Sequence, residues 1–360
     1  MNVAIFGYGV VGSGVHELLK KVKDINVVRV FDREEKRKEL GDLLDCNYER
    51  ILGDSDIDLV VEAMGGNEFA YKIIKMALEN RKHVVTSNKE VVSLHLKEFN
   101  EIANKSNVMF LFEASVGGGI PIIKGVINNA KRNKIDNIYG IMNGTTNYIL
   151  SNMSRGVSFD TALKEAQRLG YAEADPTADL MGLDMVRKIA ILTMLSTNMV
   201  VDIAKIIHQG IENITDEFIK FVLGIDCSCK FIAESILLDN NKYHISVLPI
   251  VVKKDSLLAM TNECYNSIFL DCVDNGRLLF NGLGAGKFAT ASAVVSDIID
   301  IYENNCYMNY RFEDNVEVDN NYLKRNYYVI DENNEIKYLE NVSLNEIKNY
   351  KFYALDWRNQ

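Results

Sequence analysis

Short apolar runs alternate with amphipathic segments along the first 113 residues of the chain. The runs have the length of buried strands, and helical patterns lie between them. The predicted strands are 2–6, 27–31, 57–63, 83–86 and 108–113, and the predicted helices follow Gly12 and cover 69–79 and 94–105. Strands that alternate with helices in this way predict a doubly wound parallel sheet, which is an α/β fold.

The pattern changes after the glycines at 117–119 and Pro121, where strands and helices no longer alternate regularly. Helices are predicted over 122–130 and 145–154, after Ser158 and over 290–302, with strands at 135–142, 243–249 and 267–273. This order predicts an α+β second domain with a mixed or antiparallel sheet. The most apolar stretch, 189–207, is interrupted by polar residues from Ser196 to Asp202, so we expect core helices there rather than a membrane span.

The last part of the chain has a different composition. From about Asn304 the sequence is rich in Asn, Tyr, Asp and Glu, and its periodicity is weak. Strands are predicted over 322–329 and 350–355. Because this tail contains no glycine, its turns are expected to use Asn and Asp.

The overall composition is that of a packed globular protein. Hydrophobic residues make up 48% and charged residues 25% of the 360 residues, enough for two ordinary domains. The net charge of -10 argues against a nucleic-acid partner, because phosphate contacts need a basic face. The chain starts directly with an apolar strand and shows neither a signal peptide nor a membrane span, so we expect a cytoplasmic protein.

The cysteines do not follow a zinc-binding or redox spacing. They are Cys46, Cys227, Cys229, Cys264, Cys272 and Cys306. We expect them to be buried free thiols in a reducing compartment.

The segment Gly7–Gly12 carries a G-x-G-x-x-G motif between the first predicted strand and the first helix. Gly7 permits a tight turn, Gly9 lets a pyrophosphate approach the backbone, and Gly12 allows close helix–strand packing. The amides and the dipole of the helix N-terminus favour phosphate binding. A glycine turn in some other α/β fold is the alternative, but the strand–turn–helix context favours a dinucleotide. The residues predicted at this cofactor are Gly7, Gly9, Val10, Val11 and Gly12.

Residues after the second predicted strand bear on the choice between NAD and NADP. Asp32 ends this strand about 20 residues past the glycines, where a carboxylate binds the ribose hydroxyls of NAD. Arg33, Lys36 and Arg37 follow at once and can instead bind the 2′-phosphate of NADP, although such a charge run is often a solvated helix start. The residues favour NAD slightly and leave the use of both cofactors open.

The segment 170–188 concentrates carboxylates ahead of an apolar helix. Its acidic residues are Glu173, Asp175, Asp179 and Asp184. Asp184 and Lys188 are four residues apart and therefore share one helical face. Periodicity alone does not separate a surface ion pair from a functional one, but the apolar residues after Lys188 favour a position near a core or cleft. A lysine in such a cleft can protonate an aldehyde oxygen, and carboxylates can bind the ammonium group of an amino-acid substrate.

Two further segments follow predicted strands at their carboxyl ends, where open α/β sheets bind ligands. Lys89 comes after the strand 83–86, and an exposed loop lysine is the alternative interpretation. Residues 113–120 contain three consecutive glycines. Such a segment can turn main-chain carbonyls around a small cation, or it can act as a simple hinge between domains.

Together these segments closely resemble the homoserine dehydrogenase family over about residues 1–303. The matching segments are 7–12, 61–66, 85–89, 113–121, 143–150, 170–188 and 284–295. The stretches 143–150 (Asn-Gly-Thr-Thr-Asn-Tyr-Ile-Leu) and 170–188 are the most specific. The resemblance implies a Rossmann domain, a substrate and dimerisation domain, and reversible reduction of aspartate semialdehyde to homoserine by NADH or NADPH, a step in threonine, methionine and isoleucine biosynthesis.

The resemblance also implies roles for residues of the substrate site. The lysine that matches Lys188 is the family's proposed acid–base residue, and the lysine that matches Lys89 is also implicated in catalysis. The residues that match Glu173, Asp179 and Asp184 contact homoserine, directly or through water.

Further roles concern the cofactor and a cation. The main-chain carbonyls expected to hold a sodium ion are those of Glu113, Val116, Gly118 and Ile120. The other residues expected at the cofactor are Asp32, Arg33, Met64, Gly65, Gly66, Asn88, Lys89 and Gly286.

These expectations give a prediction of the domains. A dinucleotide-binding domain is expected over 1–130 with helix 285–303 packed on it, a substrate-binding and dimerisation domain over 131–284, and an extension of unknown role over 304–360. The resemblance also implies a homodimer. The extension is too short for the ACT-type domain that many members append, so we do not expect conventional inhibition by threonine. The loop Gly282–Gly286 lacks the proline found in many bacterial members.

Two other functions remain open from the sequence. One is a cofactor-binding sensor that has lost catalysis, and the other is a related dehydrogenase for a different amino-acid aldehyde. The presence of Lys89, Glu173, Asp184 and Lys188 argues against a loss of catalysis, because such loss usually begins with charged catalytic groups.

Overall fold

The structure is a computed structural model that describes residues 1–239, 242–305, 311–312 and 314–357. Its strands are β1 (Asn2–Phe6), β2 (Asn26–Phe31), β3 (Leu59–Glu62), β4 (His83–Thr86), β5 (Phe110–Leu111), β6 (Ile135–Ile141), β7 (Ile207–His208), β8 (Cys227–Leu237), β9 (Lys242–Lys253), β10 (Tyr265–Cys272), β11 (Gly276–Leu283), β12 (Glu317–Val318), β13 (Arg325–Ile330), β14 (Ile336–Val342) and β15 (Phe352–Asp356).

The α-helices are connected by loops and by four short 3-10 helices within the described ranges. They are α1 (Val10–Leu19), α2 (Arg37–Leu40), α3 (Tyr48–Gly53), α4 (Glu68–Glu79), α5 (Lys89–Ser106), α6 (Ile122–Ala130), α7 (Gly144–Met153), α8 (Phe159–Arg168), α9 (Thr177–Leu180), α10 (Leu183–Thr197), α11 (Asp216–Gly224), α12 (Leu257–Met260), α13 (Lys287–Tyr302) and α14 (Leu344–Ile347). None of them is both long enough and apolar enough to cross a membrane.

The chain divides into two compact units, each with its own sheet. The first comprises residues 1–124 and 285–313, and the second comprises 125–284 and 314–360. The sequence-based boundaries differ in two places. The first break falls at 124 instead of 130, and the segment from 314 onward belongs to the second unit instead of forming a separate extension.

The first unit contains a parallel five-stranded sheet in the order β2-β1-β3-β4-β5. In the register of β1, β3 and β4, Phe6 lies beside Glu62, and Glu62 lies beside Thr86. The carboxyl ends of these strands therefore lie next to one another, at the edge where α/β sheets bind ligands. Helices α1 and α13 pack closely, because a Cβ on Gly14 would meet Ala291 at 3.0 Å. The predicted doubly wound parallel sheet is confirmed.

The second unit contains a mixed ten-stranded sheet. Its main path is β11-β10-β6-β8-β9-β15-β13-β14, and β7 and β12 also pair with β9. Strand β9 is antiparallel to β8 and parallel to β15, so the predicted mixed α+β arrangement is confirmed. Helix α10 begins against this sheet, since a Cβ on Gly182 would meet Phe231 of β8 and Val247 of β9. The segment 170–188 is thereby fixed on one face of the sheet.

Residues 314–357 extend the second sheet. Strands β12 and β15 pair with β9, and β13 lies between β15 and β14. The backbone takes left-handed conformations at Asn334 (φ 63°) and Asn341 (φ 53°), so Asn residues provide turns in this segment without glycine. This part of the chain therefore contributes strands to a shared core.

Several predicted elements need correction. The strands missing from the prediction are β7, β8, β11, β12 and β14, and α5 begins at Lys89 rather than near Leu94. The strand predicted over 108–113 is only the two residues of β5, followed by a 3-10 helix at Glu113–Ser115.

The expectation of buried thiols is only partly right. Cys227, Cys229 and Cys272 are buried free thiols, whereas Cys46 is exposed and Cys264 is half-buried. Cys306 lies outside the described residues.

Candidate active site

The glycine turn of the first unit leaves open space at the start of α1. Gly7 has φ +93°, and a Cβ there would meet the carbonyl oxygen of Ala63 at 2.7 Å. A Cβ on Gly12 would overlap the carbonyl oxygen of Gly7, whereas a Cβ on Gly9 would meet nothing within 4 Å. Gly9 and Val10 are exposed at the N-terminus of the helix. This space fits the pyrophosphate of a dinucleotide.

Asp32 follows β2 directly and is held beside this turn. Its Oδ2 accepts a hydrogen bond from the main-chain N–H of Tyr8 (2.5 Å), and its Oδ1 accepts one from the main-chain N–H of Arg33 (2.7 Å). Of the basic residues that follow, Lys36 and Arg37 each pair with a nearby glutamate, whereas Arg33 is exposed. The site thus offers a fixed carboxylate for ribose hydroxyls and one exposed guanidinium close to it in sequence.

A buried glutamate holds the turn after β3. Oε1 of Glu62 accepts from two main-chain N–H groups of the turn Met64–Gly66 (2.8 and 3.3 Å), and Oε2 accepts from Oγ1 of Thr86 (2.5 Å). Nδ2 of Asn88 donates to the carbonyl oxygen of Gly66 (2.7 Å), while its Oδ1 caps α5. Burial raises the pKa of Glu62. The structure brings Met64–Gly66 and Asn88 together, and sequence reasoning did not single out Glu62.

Two other predicted residues of the first unit lie at helix starts. Lys89 is the first residue of α5 and is half-buried, so it is not the exposed loop lysine of the alternative interpretation. Gly286 precedes α13 with φ +122°, a conformation that favours glycine.

Residues 113–120 form a mostly buried loop. Gly117 and Gly118 have φ values of +75° and +58°, which turn the backbone sharply. The carbonyl oxygen of Ile120 accepts from the N–H of Ile122 (2.8 Å). Oγ of Ser115 is buried and has no hydrogen-bond partner among the described residues. Carbonyl and hydroxyl oxygens are the ligands that hard cations prefer.

The side chain of Glu113 points to the neighbouring helix. Its carboxylate oxygens accept from the N–H groups of Ile123 and Lys124 at the start of α6 (2.8 and 2.9 Å). Burial and the nearby carboxylate of Asp297 raise the pKa of Glu113 to about 7. Its main-chain carbonyl, rather than its carboxylate, is therefore the group to compare with the predicted cation site.

A buried lysine–carboxylate pair lies on α10 of the second unit. Nζ of Lys188 is 2.7 Å from Oδ2 of Asp184, and the two side chains are 9% and 4% exposed. The surface ion pair that periodicity left open is thus excluded. Nζ also donates to the carbonyl oxygen of Met142 (2.6 Å). The third N–H of Lys188 has no partner among the described residues, so it can serve a ligand.

Asn143 joins two of the predicted substrate carboxylates. Its Nδ2 donates to Oδ1 of Asp179 (2.8 Å) and to Oδ2 of Asp184 (2.9 Å). Asn143 caps α7 and is buried, while Asp179 on α9 is half-buried. Sequence reasoning placed this residue in a family segment without giving it a role. The signal available was an Asn in the N-cap position before Gly-Thr-Thr.

Glu173 is not brought into this cluster. It lies exposed in the loop between α8 and α9, and its carboxylate has no hydrogen bond or ion pair in the part of the chain that the structure describes. The same loop is tied to α7, because Oγ1 of Thr145 donates to the carbonyl oxygen of Tyr171 (2.5 Å).

The parallel sheet with its glycine turn is that of an NAD(P)-binding domain, and the second unit adds a buried lysine–carboxylate pair, as in an oxidoreductase. The profile of the homoserine dehydrogenase NAD-binding domain matches residues 7–113, and the homoserine dehydrogenase profile matches residues 121–299.

Known proteins agree with these matches. The chain is 41% identical to the homoserine dehydrogenase of Synechocystis sp. and 36% identical to that of Bacillus subtilis, each match covering 84% of this chain and 73% of the relative. A homoserine dehydrogenase structure from Thiobacillus denitrificans superposes with a TM-score of 0.85 at 32% identity, covering 91% of this chain and 82% of that one. The chain belongs to the homoserine dehydrogenase family, as the sequence predicted.

Proposed function

We propose that Lys188 is the acid–base residue of this dehydrogenase. In the reduction of aspartate semialdehyde it donates a proton to the carbonyl oxygen, and in the reverse direction it accepts the proton of the homoserine hydroxyl. The geometry of Lys188 supports this proposal most strongly. Its Nζ is held by the carbonyl oxygen of Met142 and by Asp184, which leaves one N–H for a ligand. A positioned donor stabilises the negative charge that develops on the oxygen as hydride arrives.

The acidic residues are proposed to bind the substrate ammonium group. Asp179 and Asp184 lie together at Asn143 and offer carboxylate oxygens, the groups that form charge-assisted hydrogen bonds with an ammonium ion. Glu173 is proposed as a further contact because it lies in the loop that leads to Asp179. Lys89 is proposed as a second catalytic lysine, on the family resemblance.

The cofactor is proposed to be NAD or NADP, and when bound it supplies or accepts the hydride. Gly7–Gly12 would hold the pyrophosphate, and Met64–Gly66, Asn88, Lys89 and Gly286 would hold the nicotinamide end. One similar structure is a hyperthermophilic archaeal homoserine dehydrogenase in complex with NADPH, at 25% identity and a TM-score of 0.73. The fixed carboxylate of Asp32 supports NAD, and the exposed Arg33 is the group proposed to accept NADP.

We also propose a structural sodium ion. Its ligands are the main-chain carbonyl oxygens of Glu113, Val116, Gly118 and Ile120. The oxygen-rich loop, its left-handed glycines and the unpaired Oγ of Ser115 support this assignment. The proposed role of the ion is to stabilise the loop, and it takes no part in proton or hydride transfer. Thermal unfolding in sodium chloride and in choline chloride tests it, and equal melting temperatures would argue against the ion.

The proposed setting of the enzyme follows from the family resemblance. It is a cytoplasmic homodimer in threonine, methionine and isoleucine biosynthesis. Light scattering after gel filtration measures the oligomeric state, and a monomer at micromolar concentration would contradict the dimer.

The proposed function is tested by following the absorbance of NADH or NADPH with aspartate semialdehyde as substrate. The wild-type protein should oxidise the reduced cofactor, and Lys188→Ala should fold normally but lose turnover by about 10²–10⁴-fold. Lys164→Ala, at an exposed lysine of α8, is the matched control and should keep wild-type turnover.

Each alternative function gives a different result in this assay. A protein that binds cofactor tightly without oxidising it would be a sensor. A protein that oxidises cofactor only with another amino-acid aldehyde would be a related dehydrogenase. Near-normal turnover of Lys188→Ala would refute the role of Lys188.

A further inference from the structure

Asn143 stands at the junction between β6 and α7, and its side-chain amide has a forced orientation. Oδ1 accepts from the main-chain N–H of Thr146 (2.9 Å) and from Oγ1 of the same residue (3.0 Å). An amide nitrogen in that place would put a donor against a donor. The oxygen must therefore face α7, and the nitrogen must face the opposite side.

The nitrogen of this amide is shared between two carboxylates. Its two hydrogens account for the bonds to Asp179 (2.8 Å) and Asp184 (2.9 Å). The oxygen that it contacts on Asp184 is Oδ2, which also pairs with Nζ of Lys188. A neutral donor thus lies between two negative charges and touches the same atom as the proposed acid–base lysine.

We propose that Asn143 is a positioning residue for the homoserine dehydrogenase reaction. It holds Asp179 and Asp184 in one geometry, and through Asp184 it fixes where Nζ of Lys188 lies. The preceding residue contributes to the same arrangement, because the carbonyl oxygen of Met142 accepts from Nζ. This inference rests on the function proposed above for Lys188. It adds that the cap of α7 and the geometry of the acidic cluster are set by one side chain.

The charged groups around Lys188 decide what a change at Asn143 does. Asp184 lies on the same helix, and Asp179 comes from α9. The β-strands beneath the start of α10 contribute Phe231 and Val247, which are uncharged. Arg187 adds a further charge on α10, and this charge is the same in the wild type and in both variants.

Two substitutions separate the capping of α7 from the hydrogen bonds that Asn143 donates to Asp179 and Asp184. Asn143→Ser keeps a good N-cap but is too short to reach both carboxylates. Asn143→Asp also keeps a good N-cap and nearly the same shape, but it replaces the neutral donor by a third carboxylate. Thr215→Ala removes the cap of α11, another helix of the same unit, and measures the effect of a lost cap away from the cluster.

Both Asn143 variants should stay folded and lose turnover by about 100-fold, because a misplaced proton donor costs that much. The pH profile of homoserine oxidation should move to higher pH in both variants, because Asn143→Ser removes a donor that the two carboxylates share and Asn143→Asp also adds a negative charge. Both changes favour the protonated lysine, and the shift should be larger for Asp. Thr215→Ala should keep the wild-type KM and pH profile. The measurements are kcat, KM, the pH profile and the melting temperature of each variant.

The outcomes distinguish this inference from the proposed function. Wild-type kinetics in both Asn143 variants would overturn the inference, and so would a lower kcat with unchanged KM and pH profile, which is the signature of a merely structural residue. If Asn143→Ser unfolds, the nearly isosteric Asn143→Asp decides the question by its pH profile. The proposed function fails instead if Lys188→Ala remains active.

Discussion

Two buried pairs of a basic and an acidic side chain lie in the second unit, and they hold their basic groups differently. Lys188 and Asp184 sit four residues apart on α10. Arg325 and Glu234 are 91 residues apart, with Nη1 2.6 Å from Oε1 and side chains that are 7% and 0% exposed. The first pair is local in sequence, whereas the second joins the segment 314–357 to the central strand β8.

One carboxylate oxygen of Glu234, Oε1, contacts several polar side chains in addition to Arg325. Oε1 also accepts from Oγ of Ser246 (2.9 Å) and lies 3.1 Å from Nε2 of His244. Burial alone would raise the pKa of Glu234, but the charge of Arg325 and the contact with His244 outweigh it and lower the pKa to about 2. This cluster is built to remain charged.

The comparison shows that burial of an ion pair does not by itself indicate catalysis. An arginine keeps its proton in proteins, so it suits a fixed pair, whereas a lysine can release one. Lys188 is a titratable cation that keeps one N–H for a ligand, and Arg325 is a permanent cation beside a carboxylate that is already bonded. The chemistry of the cation and its spare donor separate the two roles.

The largest expected effect comes from replacing Lys188 by arginine, the cation of the Arg325–Glu234 pair. Lys188→Arg keeps the positive charge beside Asp184, but a guanidinium does not release its proton near neutral pH. Turnover should fall by about 10²–10⁴-fold with little change in melting temperature. Steady-state kinetics with aspartate semialdehyde measure this, and Lys164→Arg is the control. An active Lys188→Arg variant would mean that charge alone suffices.

The second pair should affect stability rather than turnover. Arg325→Met leaves the buried carboxylate of Glu234 without its cation, which should lower the free energy of unfolding by about 3–5 kcal/mol. Urea unfolding measures this, and the folded variant should keep the wild-type kcat at low temperature.

A double variant completes the stability experiment. Arg325→Met with Glu234→Leu removes both charges and should recover much of the lost stability. Equal losses in the single and double variants would contradict the idea that the unpaired carboxylate of Glu234 causes the loss.

The two pairs also differ in how far the sequence predicted them. Asp184 and Lys188 were found because helical spacing places them on one face. The Arg325–Glu234 pair was not predicted, because β8 itself was missed. Buried Lys230 and Glu234 break the apolar pattern that marks a central strand.

In the active site, too, the sequence predicted local features but not contacts between distant residues. The glycine turn and Asp32 were predicted because their signals lie within one βαβ unit. The bridge from Asn143 to Asp179 and Asp184 spans 36 and 41 residues, and no local pattern encodes such a contact. Glu62 gave no signal because it ends an otherwise apolar strand.

The charged state of Glu234 predicts a stability change with pH. Its pKa is about 2 in the folded protein against an ordinary value of 4.5, so its stabilising contribution is complete above pH 4.5 and is lost as the pH falls towards 2. The contribution is about 3 kcal/mol at neutral pH. The difference in unfolding free energy between wild type and Glu234→Gln isolates it, and it should shrink over that range. A constant difference would contradict the assignment.

The smallest effect expected concerns the neutral contact that helps hold the same segment. Oδ1 of Asn320 accepts from the main-chain N–H of Ile245 (2.9 Å), and its Nδ2 donates to the carbonyl oxygen of Lys205 (2.8 Å). Asn320→Ala leaves the buried N–H of Ile245 and the partly buried carbonyl oxygen of Lys205 unpaired and should cost about 1–3 kcal/mol in urea unfolding. Asn333→Ala, at an exposed Asn of the segment, should cost less than about 0.5 kcal/mol. A loss at Asn320 as large as that of Arg325→Met would mean that hydrogen bonds, and not the buried charge pair, chiefly hold residues 314–357 on the sheet.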